Sequence, residues 1–429
     1  MSAAPLARAE TIAVGSELLA LGRVDTNSAA IAGRLESLGI DLVARSIVGD
    51  QLQHLELAVR TALARADLVI LTGGLGPTDD DLTRLAVASA LGRGLAEDPV
   101  QLSRIVDRFA RRGLAMPDIN RRQALLIDGA LRLDNPTGTA PGQWIDLGAQ
   151  AVALLPGPPR EMEPMLDALV AGPLGARAGS SRTHRRVLKI VGRSESAVES
   201  TLQPLYTAWR AAVPAIDATI LAARGRIELY LSARSDDAGA AATVLDAAAA
   251  AAAAALDRIV YSTREETLEE AVGALLHAAG WRLAVAESCT GGLLAVGLTD
   301  VPGSSGWFEG GIVPYANALK TSLAHVPEAA IANHGAVSEP VARALAAGAR
   351  KACGTEVGVG ITGIAGPGGG SDEKPVGTVF IAVSTPSVEA CRHARFVGDR
   401  VVIRQQSVTV ALDMVRLALD GRDPDGGAR

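Results

Sequence analysis

The sequence predicts an α/β protein in which two domains with wound, mostly parallel sheets are joined by a smaller α+β domain. Short apolar runs alternate with helix-like segments in the first 170 residues and again after residue 263. Such alternation requires crossover connections and a parallel sheet. Glycine-rich turns follow several of the apolar runs, and 429 residues are enough for roughly two to four domains. The predicted boundaries are 1–170, 171–262, 263–420 and a mobile tail at 421–429.

Composition restricts the classes of function. Aromatic residues make up only 3% of the chain, so its cores must be built from Ala, Val, Leu and Ile. A net charge of −6 indicates neither a nucleic-acid nor an anionic membrane partner. The three cysteines have no metal-ligand spacing, which favours a reducing compartment over disulfides or a zinc site. With no signal pattern and no apolar run of about 20 residues, we expect a soluble cytoplasmic protein.

The first domain begins with three strand–helix pairs. Apolar runs predict strands at 11–14, 41–48 and 67–71, and the intervening segments predict helices from Asp25 to Leu38 and from Gln51 to Ala64. Gly39 is placed to end the first of these helices. This order predicts a parallel sheet whose strand ends carry loops.

The third strand leads into the glycine loop, residues 72–83, with the sequence TGGLGPTDDDLT. Gly73, Gly74 and Gly76 would let a phosphate approach the backbone, and the helix that follows would point its N-terminus at the loop. Asp79, Asp80 and Asp81 are expected on the first turn of that helix, where one carboxylate is explained by the helix dipole alone. Three carboxylates would repel a bare phosphate, so we predict a divalent cation such as magnesium that bridges Asp80 and Asp81 to a phosphate ester.

Two further loops are rich in Gly and Pro. Residues 135–142 (NPTGTAPG), which include Thr139, and residues 155–165 (LPGPPREMEPM) are binding-loop candidates at strand ends, although turn chemistry alone explains either one.

These motifs, with GSELL at 15–19 and VDTNS at 24–28, closely resemble the N-terminal domain of the CinA family. That domain is similar to the molybdopterin-binding domains of MoaB- and MogA-type proteins. The resemblance implies a metal-dependent pyrophosphatase acting on ADP-ribose, with Mg or Co as the metal. It also implies a functional role for Asp81 and substrate contacts from the glycine loop and Thr139.

The middle segment offers no convergent set of polar residues. Residues 171–181 predict a linker, residues 186–191 and 227–232 predict strands, and nine consecutive alanines at 247–255 predict a helix. The family resemblance implies a small KH-like domain. No Gly-x-x-Gly loop with basic residues stands out, so nucleic-acid binding is not expected.

The C-terminal domain is organised around Ala286 to Gly292, with the sequence AESCTGG. A strand from Arg282 to Ala286 ends there and a helix begins near Gly291. Backbone N–H groups at such a helix start can bind an anion or a developing oxyanion. Ser288 and Cys289 are candidate nucleophiles, and a plain capped turn is the structural alternative.

Two other strand ends complete the predicted site. Tyr315 ends a strand and Lys320 follows on a helix, while a strand at 356–361 opens into a loop that begins with Thr362 and Gly363. A lysine with a lowered pKa is a general base, so Ser288, Lys320 and Tyr315 would suit amide or ester hydrolysis without a metal. The alternatives are a solvated lysine and a tyrosine at the edge of the core. No histidine lies near Cys289 in sequence, which places that thiol second to Ser288.

The motifs AESCTGG, GGIVPYANALK, GAVSEPVA, GITGIAGPGGG and PVGTVFIAV resemble the CinA C-terminal domain, which also occurs as a free-standing nicotinamide mononucleotide amidohydrolase. The resemblance implies Ser288 as nucleophile, Lys320 as base and Tyr315 as an assisting group, with no cofactor in this domain. Substrate contacts are expected from Gly291, Gly292, Thr362, Gly363 and Arg404. Pro314 departs from the family pattern, in which Ser or Thr is expected.

The sequence therefore predicts a bifunctional enzyme of pyridine-nucleotide salvage, acting on nicotinamide mononucleotide and ADP-ribose. The alternative is a non-catalytic protein that binds a pterin or nucleotide and regulates competence or the response to DNA damage. The family further implies a homodimer.

Overall fold

The computed structural model describes residues 4–20, 22–223 and 225–425. The chain divides into two compact units, one comprising the residues up to 184 together with 234–238, and the other comprising 185–233 and the residues from 239 onward. The structure is α/β, as the sequence predicts, and each large sheet contains both parallel and antiparallel pairs.

The first unit has a six-stranded sheet and a separate two-stranded one. The eight strands of the unit are β1 (Arg8–Val14), β2 (Asp41–Val48), β3 (Leu68–Thr72), β4 (Leu95–Glu97), β5 (Leu125–Ile127), β6 (Leu131–Leu133), β7 (Gly142–Asp146) and β8 (Ala151–Leu155). Its helices are α1 (Ser16–Ala20), α2 (Asn27–Ser37), α3 (Leu52–Leu63), α4 (Thr83–Leu91), α5 (Pro99–Ala110), α6 (Pro159–Ala171) and α7 (Pro173–Arg177). The sheet order is β2-β1-β3-β8-β7-β6, and β4 pairs separately with β5.

The centre of this sheet is parallel and buried on both faces. The pairs β1–β2, β1–β3 and β3–β8 are parallel, whereas β8–β7 and β7–β6 are antiparallel. All five residues of β3 are buried, as expected for a strand covered by helices on both sides. Because parallel strands end at the same edge, the loops that follow β1, β3 and β8 meet there.

The middle segment forms a smaller sheet with order β10-β11-β9-β12. Its elements are β9 (Arg182–Val191), α8 (Glu195–Ala211), β10 (Ile216–Ala223), β11 (Arg226–Ser235), α9 (Ala238–Leu256) and β12 (Val260–Ser262). The alanine run is helical, as predicted. Ala241, Leu245, Ala248, Ala252 and Leu256 are the buried residues of α9, and their spacing of three or four places them on one face of the helix.

The α9 segment corrects one expectation from the sequence. In the part of the chain that the structure describes, residues 238–259 form a helical stretch long and apolar enough, by length and composition, to cross a membrane, with a mean hydropathy of 1.6. The alanines give the helix this hydropathy although their side chains are small. Leu245 and Leu256 of this helix pack in the core of the middle segment, and 28% of the apolar window is buried.

The C-terminal part has a five-stranded sheet of order β14-β13-β15-β16-β17. Its strands are β13 (Leu283–Glu287), β14 (Phe308–Ile312), β15 (Val357–Gly363), β16 (Thr378–Ser384) and β17 (Glu389–Arg395). Its helices are α10 (Leu268–Ala279), α11 (Leu293–Thr299), α12 (Asn317–Ala324), α13 (Glu328–His334), α14 (Glu339–Cys353) and α15 (Arg400–Leu419).

Only half of this sheet is parallel. β13 pairs in parallel with β14 and β15, whereas β15–β16 and β16–β17 are antiparallel. The carboxyl ends of β14, β13 and β15 therefore lie side by side and carry the three predicted loops. The tail predicted to be mobile begins with described residues, of which Asp425 accepts a hydrogen bond from the amide of Cys391 at 2.8 Å. Residues 426–429 of that tail lie outside the described chain.

Candidate functional sites

A cavity of about 630 Å³ opens at the edge where β1, β3 and β8 end. Its wall contains every residue that the sequence assigned to the first site. These residues are Gly73, Gly74, Gly76, Asp80, Asp81 and Thr139. The structure thus brings together side chains from the glycine loop and from the loop at 135–142.

The first two glycines of the loop are required by its shape. Gly73 has a φ of +98°, and a Cβ there would lie 2.4 Å from the carbonyl oxygen of Val14. Gly74 has a φ of +64°, and a Cβ there would lie 2.2 Å from the hydroxyl of Thr83. Only glycine adopts such backbone conformations without strain, and here it also allows the loop to pack against its neighbours.

The aspartates lie before the helix rather than on its first turn, which corrects the prediction. Helix α4 begins at Thr83. The Asp81 carboxylate turns back into the loop and accepts hydrogen bonds from the amide of Gly76 at 2.7 Å and from the amide and hydroxyl of Thr78 at 2.8 and 2.5 Å. Asp81 therefore holds the loop closed. Asp79 points elsewhere and pairs with Arg122 at 2.5 Å.

The cavity is strongly acidic. Among the described residues, six carboxylate side chains and one arginine, Arg23, line the cavity; the carboxylates are those of Glu17, Asp25, Asp50, Asp80, Asp81 and Glu161. The Thr78 hydroxyl lowers the pKa of the Asp80 carboxyl, which favours its charged form. An anionic ligand would therefore need a cation in this cavity.

The residues present fit a cation that shares its coordination with a ligand. Among the described residues no group of three or more His, Cys, Asp or Glu is placed to hold a metal ion. Asp80 is exposed, and Asp81 has used three of its roughly four acceptor sites. Magnesium is commonly bound by one or two carboxylates together with waters and phosphate oxygens, and Asp80 with the remaining site of Asp81 matches that requirement.

Arg84 is a site residue that sequence reasoning missed. It is buried under the glycine loop, and its guanidinium donates to the carbonyl oxygens of Leu75 at 2.8 Å and Gly76 at 2.9 Å. Burial lowers its pKa to about 10, against the opposing effect of the Asp81 charge. Its position three residues after Asp81 could have indicated a site residue. The sequence gave no indication, however, that this helical arginine is buried.

The two Gly/Pro-rich loops are bonded to each other. The side-chain amide of Asn135 donates to the carboxylate of Glu161 and to the carbonyl of Ala140, both at 2.8 Å. The carbonyl of Thr139 accepts from Gln101 at 3.0 Å. Thr139 is thus held in the cavity wall by contacts on both sides of the loop.

The second site centres on the turn after β13. Ser288 is nearly buried, and its amide donates to the carbonyl of Ile361 at 2.9 Å, which ties the turn to β15. Gly291 and Gly292 follow with φ values of +59° and +90°, so both require the left-handed conformation. These glycines let the chain reverse into α11 within a few residues.

The amides at the helix start are not available to a ligand in the way the sequence predicted. The buried carboxylate of Glu287 accepts from the amides of Gly292 and Leu294, both at 3.1 Å, and of Ala295 at 2.8 Å. The Gly291 amide donates to the Ser288 carbonyl at 3.2 Å. An internal carboxylate therefore takes the place that the prediction gave to substrate or oxyanion.

Lys320 is buried rather than solvated. It is 2% exposed, and its Nζ donates to the backbone carbonyl of Tyr315 at 2.9 Å. Burial lowers its pKa, and the nearby Cys289 acts in the opposite direction. Lys320 therefore lies within electrostatic range of Cys289 in the Ser288–Cys289 turn, and its lowered pKa favours proton acceptance relative to a solvated lysine.

Cys289 is buried in a way that disfavours its thiolate. It is 5% exposed, and burial raises its pKa to about 11. A thiol attacks as the thiolate, so the geometry favours Ser288 over Cys289 as the nucleophile.

Tyr315 lies at the surface rather than at the edge of the core. Its side chain is 60% exposed, and its hydroxyl lies 3.3 Å from Nη2 of Arg400. Arg400 also donates to the carbonyl of Gly366 at 2.8 Å, which connects the tyrosine to the loop after β15. Arg400 was not predicted as a site residue. It occupies the first position of the helix that carries Arg404, which was predicted.

The remaining predicted contacts divide into two groups. Arg404 reaches the turn at 288–292, called here the nucleophile turn, where its Nη2 and Nε donate to the carbonyl of Thr290 at 2.6 and 3.2 Å. The Thr362 hydroxyl donates to the carbonyl of Ala336 at 2.8 Å, and a Cβ on Gly363 would lie 2.7 Å from Val379. Thr362 and Gly363 are thus used by the fold itself.

Comparison with known proteins identifies the family of the chain. Residues 265–419 match the model of the CinA C-terminal domain, and residues 10–176 match that of a probable molybdopterin binding domain. A CinA-like protein of Acidobacterium capsulatum is 46% identical over 419 residues, which covers 96% of this chain and 99% of the relative. The chain belongs to the CinA family.

A second relative aligns over nearly the full length, and a solved structure aligns over a smaller part of the chain. A putative competence-damage inducible protein of Moorella thermoacetica is 43% identical and covers 94% of this chain and 97% of its own length. Among solved structures, the protein CinA of Thermoplasma acidophilum, described as of unknown function, is 35% identical with a TM-score of 0.36 and covers 38% of this chain and 96% of its own. Both candidate sites lie within the matched domain ranges.

Proposed function

We propose that this CinA family member hydrolyses the carboxamide of nicotinamide mononucleotide in its C-terminal domain and the pyrophosphate of ADP-ribose in its N-terminal domain. The observation that carries the first activity is the buried Lys320 beside the Ser288 turn, with a pKa lowered by burial. A lysine whose pKa is lowered by burial accepts a proton more readily than a solvated lysine, and a serine paired with such a base suits amide hydrolysis without a metal.

In the amidase reaction, the Ser288 oxygen attacks the carboxamide carbon while its proton passes to Nζ of Lys320. The carbon–nitrogen bond then breaks, and the proton leaves with the nitrogen as ammonia. Water attacks the resulting ester, which releases nicotinic acid mononucleotide and restores the Ser288 hydroxyl.

The substrate phosphate is assigned to the N-terminal end of α15. Arg400 and Arg404 lie one turn apart there, and both contact loops of the site. A guanidinium fork suits a phosphate because it donates two parallel hydrogen bonds. The helix dipole adds a favourable field at the same end of this 20-residue helix.

Ammonia release from nicotinamide mononucleotide by the purified protein tests the amidase. We expect Ser288→Ala to abolish release and Cys289→Ala to retain it, because the thiol is not the nucleophile. Full activity in Ser288→Ala would reject the serine mechanism. No release from the parent would instead favour the alternative reading, in which the domain binds nucleotide without turnover.

The second activity is supported by the acidic cavity and its glycine loop. Asp80 and the remaining acceptor site of Asp81 would hold a divalent cation, whose charge would offset that of the pyrophosphate and activate water for attack on phosphorus. Asp81 occupies the amides of Gly76 and Thr78 and keeps the loop closed, so the phosphates would be held through the cation. The products would be AMP and ribose 5-phosphate.

AMP formation from ADP-ribose tests this site. We expect a chelator to abolish the reaction and Asp81→Asn to weaken it, while Ser288→Ala leaves it unchanged. The Asp81→Asn protein should in turn keep its amidase activity, so each variant is the control for the other site. Turnover that persists in the presence of chelator would contradict the role of the cation.

A further inference from the structure

Asn27 has a side-chain oxygen without a partner in the wall of the acidic cavity. The residue is 8% exposed, begins α2 and lines the cavity. Its Oδ1 is buried and makes no hydrogen bond within the part of the chain that the structure describes. A buried acceptor without a donor costs free energy, so each such atom in a folded protein requires an explanation. The roles assigned so far to the glycine loop and the cation give Asn27 no part.

The orientation of the Asn27 amide is fixed by its nitrogen. Nδ2 donates to the backbone carbonyl of Gly157, in the loop that follows β8. The reverse orientation would place Oδ1 against that carbonyl oxygen, and two acceptors cannot bond to each other. The atom without a partner is therefore an acceptor. A ligand group that satisfies it must be a hydrogen-bond donor, which excludes an ionised phosphate oxygen.

Asn27 lies at the Gly73 end of the glycine loop. A Cβ on Gly157 would lie 3.3 Å from the Cα of Gly73, so the loop that binds the Asn27 amide contacts the first glycine. The proposed cation ligands, Asp80 and Asp81, come at the other end of the glycine loop. In a nucleotide the sugar adjoins the phosphates, and its hydroxyl groups are hydrogen-bond donors. A sugar hydroxyl therefore suits the position of Oδ1.

Asp25 supplies a second acceptor two residues before Asn27. Its Oδ1 accepts from the amide of Ser28 at 3.0 Å, and its Oδ2 has no hydrogen-bond partner among the described residues. Asp25 and Asn27 both line the cavity. A ribose presents two neighbouring hydroxyls, and an acidic side chain is the group that binds a ribose hydroxyl in many dinucleotide sites.

We propose that Asn27 and Asp25 bind the two neighbouring hydroxyls of a ribose of the substrate in the N-terminal cavity. Oδ1 of Asn27 accepts from one hydroxyl and the carboxylate of Asp25 accepts from the other. Asn27 is a specificity-determining residue, because a deoxyribose leaves its buried oxygen without a donor. The identity of the substrate rests on the proposed cleavage of ADP-ribose, whereas the preference for ribose over deoxyribose does not depend on turnover.

Deoxy analogues of ADP-ribose measure this contact. The analogues lack one hydroxyl of either ribose, and a further analogue carries hypoxanthine in place of adenine and so lacks the amine of the base. We expect the parent to cleave ADP-ribose with a kcat/KM about tenfold higher than that of at least one deoxy analogue, as for the loss of one hydrogen bond. Asn27→Leu should bring this ratio close to one. The ratio between ADP-ribose and the hypoxanthine analogue should be the same in the parent and the variant.

Asn27→Asp separates recognition of the hydroxyl from the hydrogen bond to Gly157. This variant keeps an acceptor oxygen and loses the amide donor, so we expect it to retain the preference for ribose. Asn333→Leu, at an exposed asparagine of the C-terminal domain, is the matched control and should leave every ratio unchanged. If Asn27→Leu does not fold, Asn27→Ala removes the same acceptor. The magnesium concentration that gives half of the maximal rate should not change in Asn27→Leu.

The inference is overturned if the parent does not distinguish ribose from deoxyribose, or if Asn27→Leu keeps the preference of the parent at every position. It is also overturned if Asn27→Leu changes only the response to hypoxanthine or the requirement for magnesium, or if Asn27→Asp loses the preference as fully as Asn27→Leu. A parent that binds ADP-ribose without cleaving it would refute the proposed pyrophosphatase alone, because calorimetric Kd values for the same compounds give the same ratios. A parent that binds none of the compounds would refute both.

Discussion

The glycine loop of the N-terminal domain and the nucleophile turn of the C-terminal domain have similar backbones. In each, a carboxylate binds backbone amides, but it comes from the helix side in the first and from the strand side in the second. Both connect a buried strand to a helix through two consecutive left-handed glycines, at 73–74 and at 291–292. In the first, Asp81 lies just before the helix and reaches back to the loop amides. In the second, Glu287 lies on the strand and reaches forward to the helix amides.

The two carboxylates differ in their exposure to a ligand. Asp81 lines an open cavity and keeps acceptor capacity for a cation, whereas Glu287 is fully buried and its charge acts only on its neighbours. A strand–glycine–helix motif therefore does not by itself define an anion site. The carboxylate that satisfies its amides decides whether the turn binds a ligand or positions a nucleophile.

The largest expected effect comes from removing the base of the nucleophile turn. Lys320→Met should lower ammonia release by roughly 10²- to 10⁴-fold, the usual contribution of a general base. Steady-state release of ammonia at saturating substrate measures the change. Lys351→Met, on the exposed end of α14, is the matched control, and activity near that of the parent in Lys320→Met would refute the role of the lysine.

The pH profile of the amidase tests the same lysine without a substitution. Burial lowers the pKa of Lys320 from its ordinary value of 10.5, and only the deprotonated amine accepts a proton. The rate should therefore rise about tenfold per pH unit below the lysine pKa and level off before pH 10.5. A rate that falls as the pH rises from 6 to 9 would contradict this assignment.

Alanine substitutions at the second glycine of each turn compare the two loops directly. Gly74→Ala should lower the free energy of unfolding by about 2–4 kcal/mol, because left-handed strain adds to overlap with Thr83. Gly292→Ala has open space around its Cβ, with Val313 at 3.8 Å, so only the strain of about 1–2 kcal/mol should remain. Denaturant unfolding followed by circular dichroism measures both, and equal losses would show that the local space does not matter.

Substitution of Arg84, the buried arginine under the glycine loop, is expected to have a smaller effect on stability. Arg84→Met leaves the carbonyls of Leu75 and Gly76 without their buried donors, which costs about 1–3 kcal/mol. We expect lower AMP formation from ADP-ribose and an unchanged rate of ammonia release. Arg93→Met, at a half-buried arginine that donates to the carbonyl of Asp128, serves as the control. Normal AMP formation in Arg84→Met would show that the loop keeps its shape without the arginine.

The sequence was sufficient for the fold and for the places where loops meet. Strand–helix alternation and glycine-rich turns predicted the α/β class, and the family resemblance implied functional roles for Gly73, Asp81 and Thr139, which the structure places in the wall of one cavity. These features are periodic or local, so they can be seen in a single sequence. The antiparallel half of the C-terminal sheet could not be predicted, because an apolar run carries no information about strand direction.

The sequence did not reveal which polar groups satisfy one another. Glu287 appeared as one letter of a motif, and nothing local indicated that it would bind three amides of the next helix. Arg84 and Arg400 were missed for the same reason, since their roles depend on carbonyls of loops distant in the fold. Burial of Lys320 is likewise a property of the packed domain and not of its helix.

Asp79 gives the smallest expected effect and the strictest test of the glycine loop. It adjoins Asp80 and Asp81 in sequence, but its carboxylate is 89% exposed and pairs with a half-exposed arginine, Arg122. Exposed ion pairs contribute about 0–1 kcal/mol, so Asp79→Asn should leave the free energy of unfolding and AMP formation from ADP-ribose nearly unchanged. Asp81→Asn should reduce AMP formation under the same conditions. An equal loss in Asp79→Asn would mean that the net charge of the triplet, and not the loop closure made by Asp81, is what the site requires.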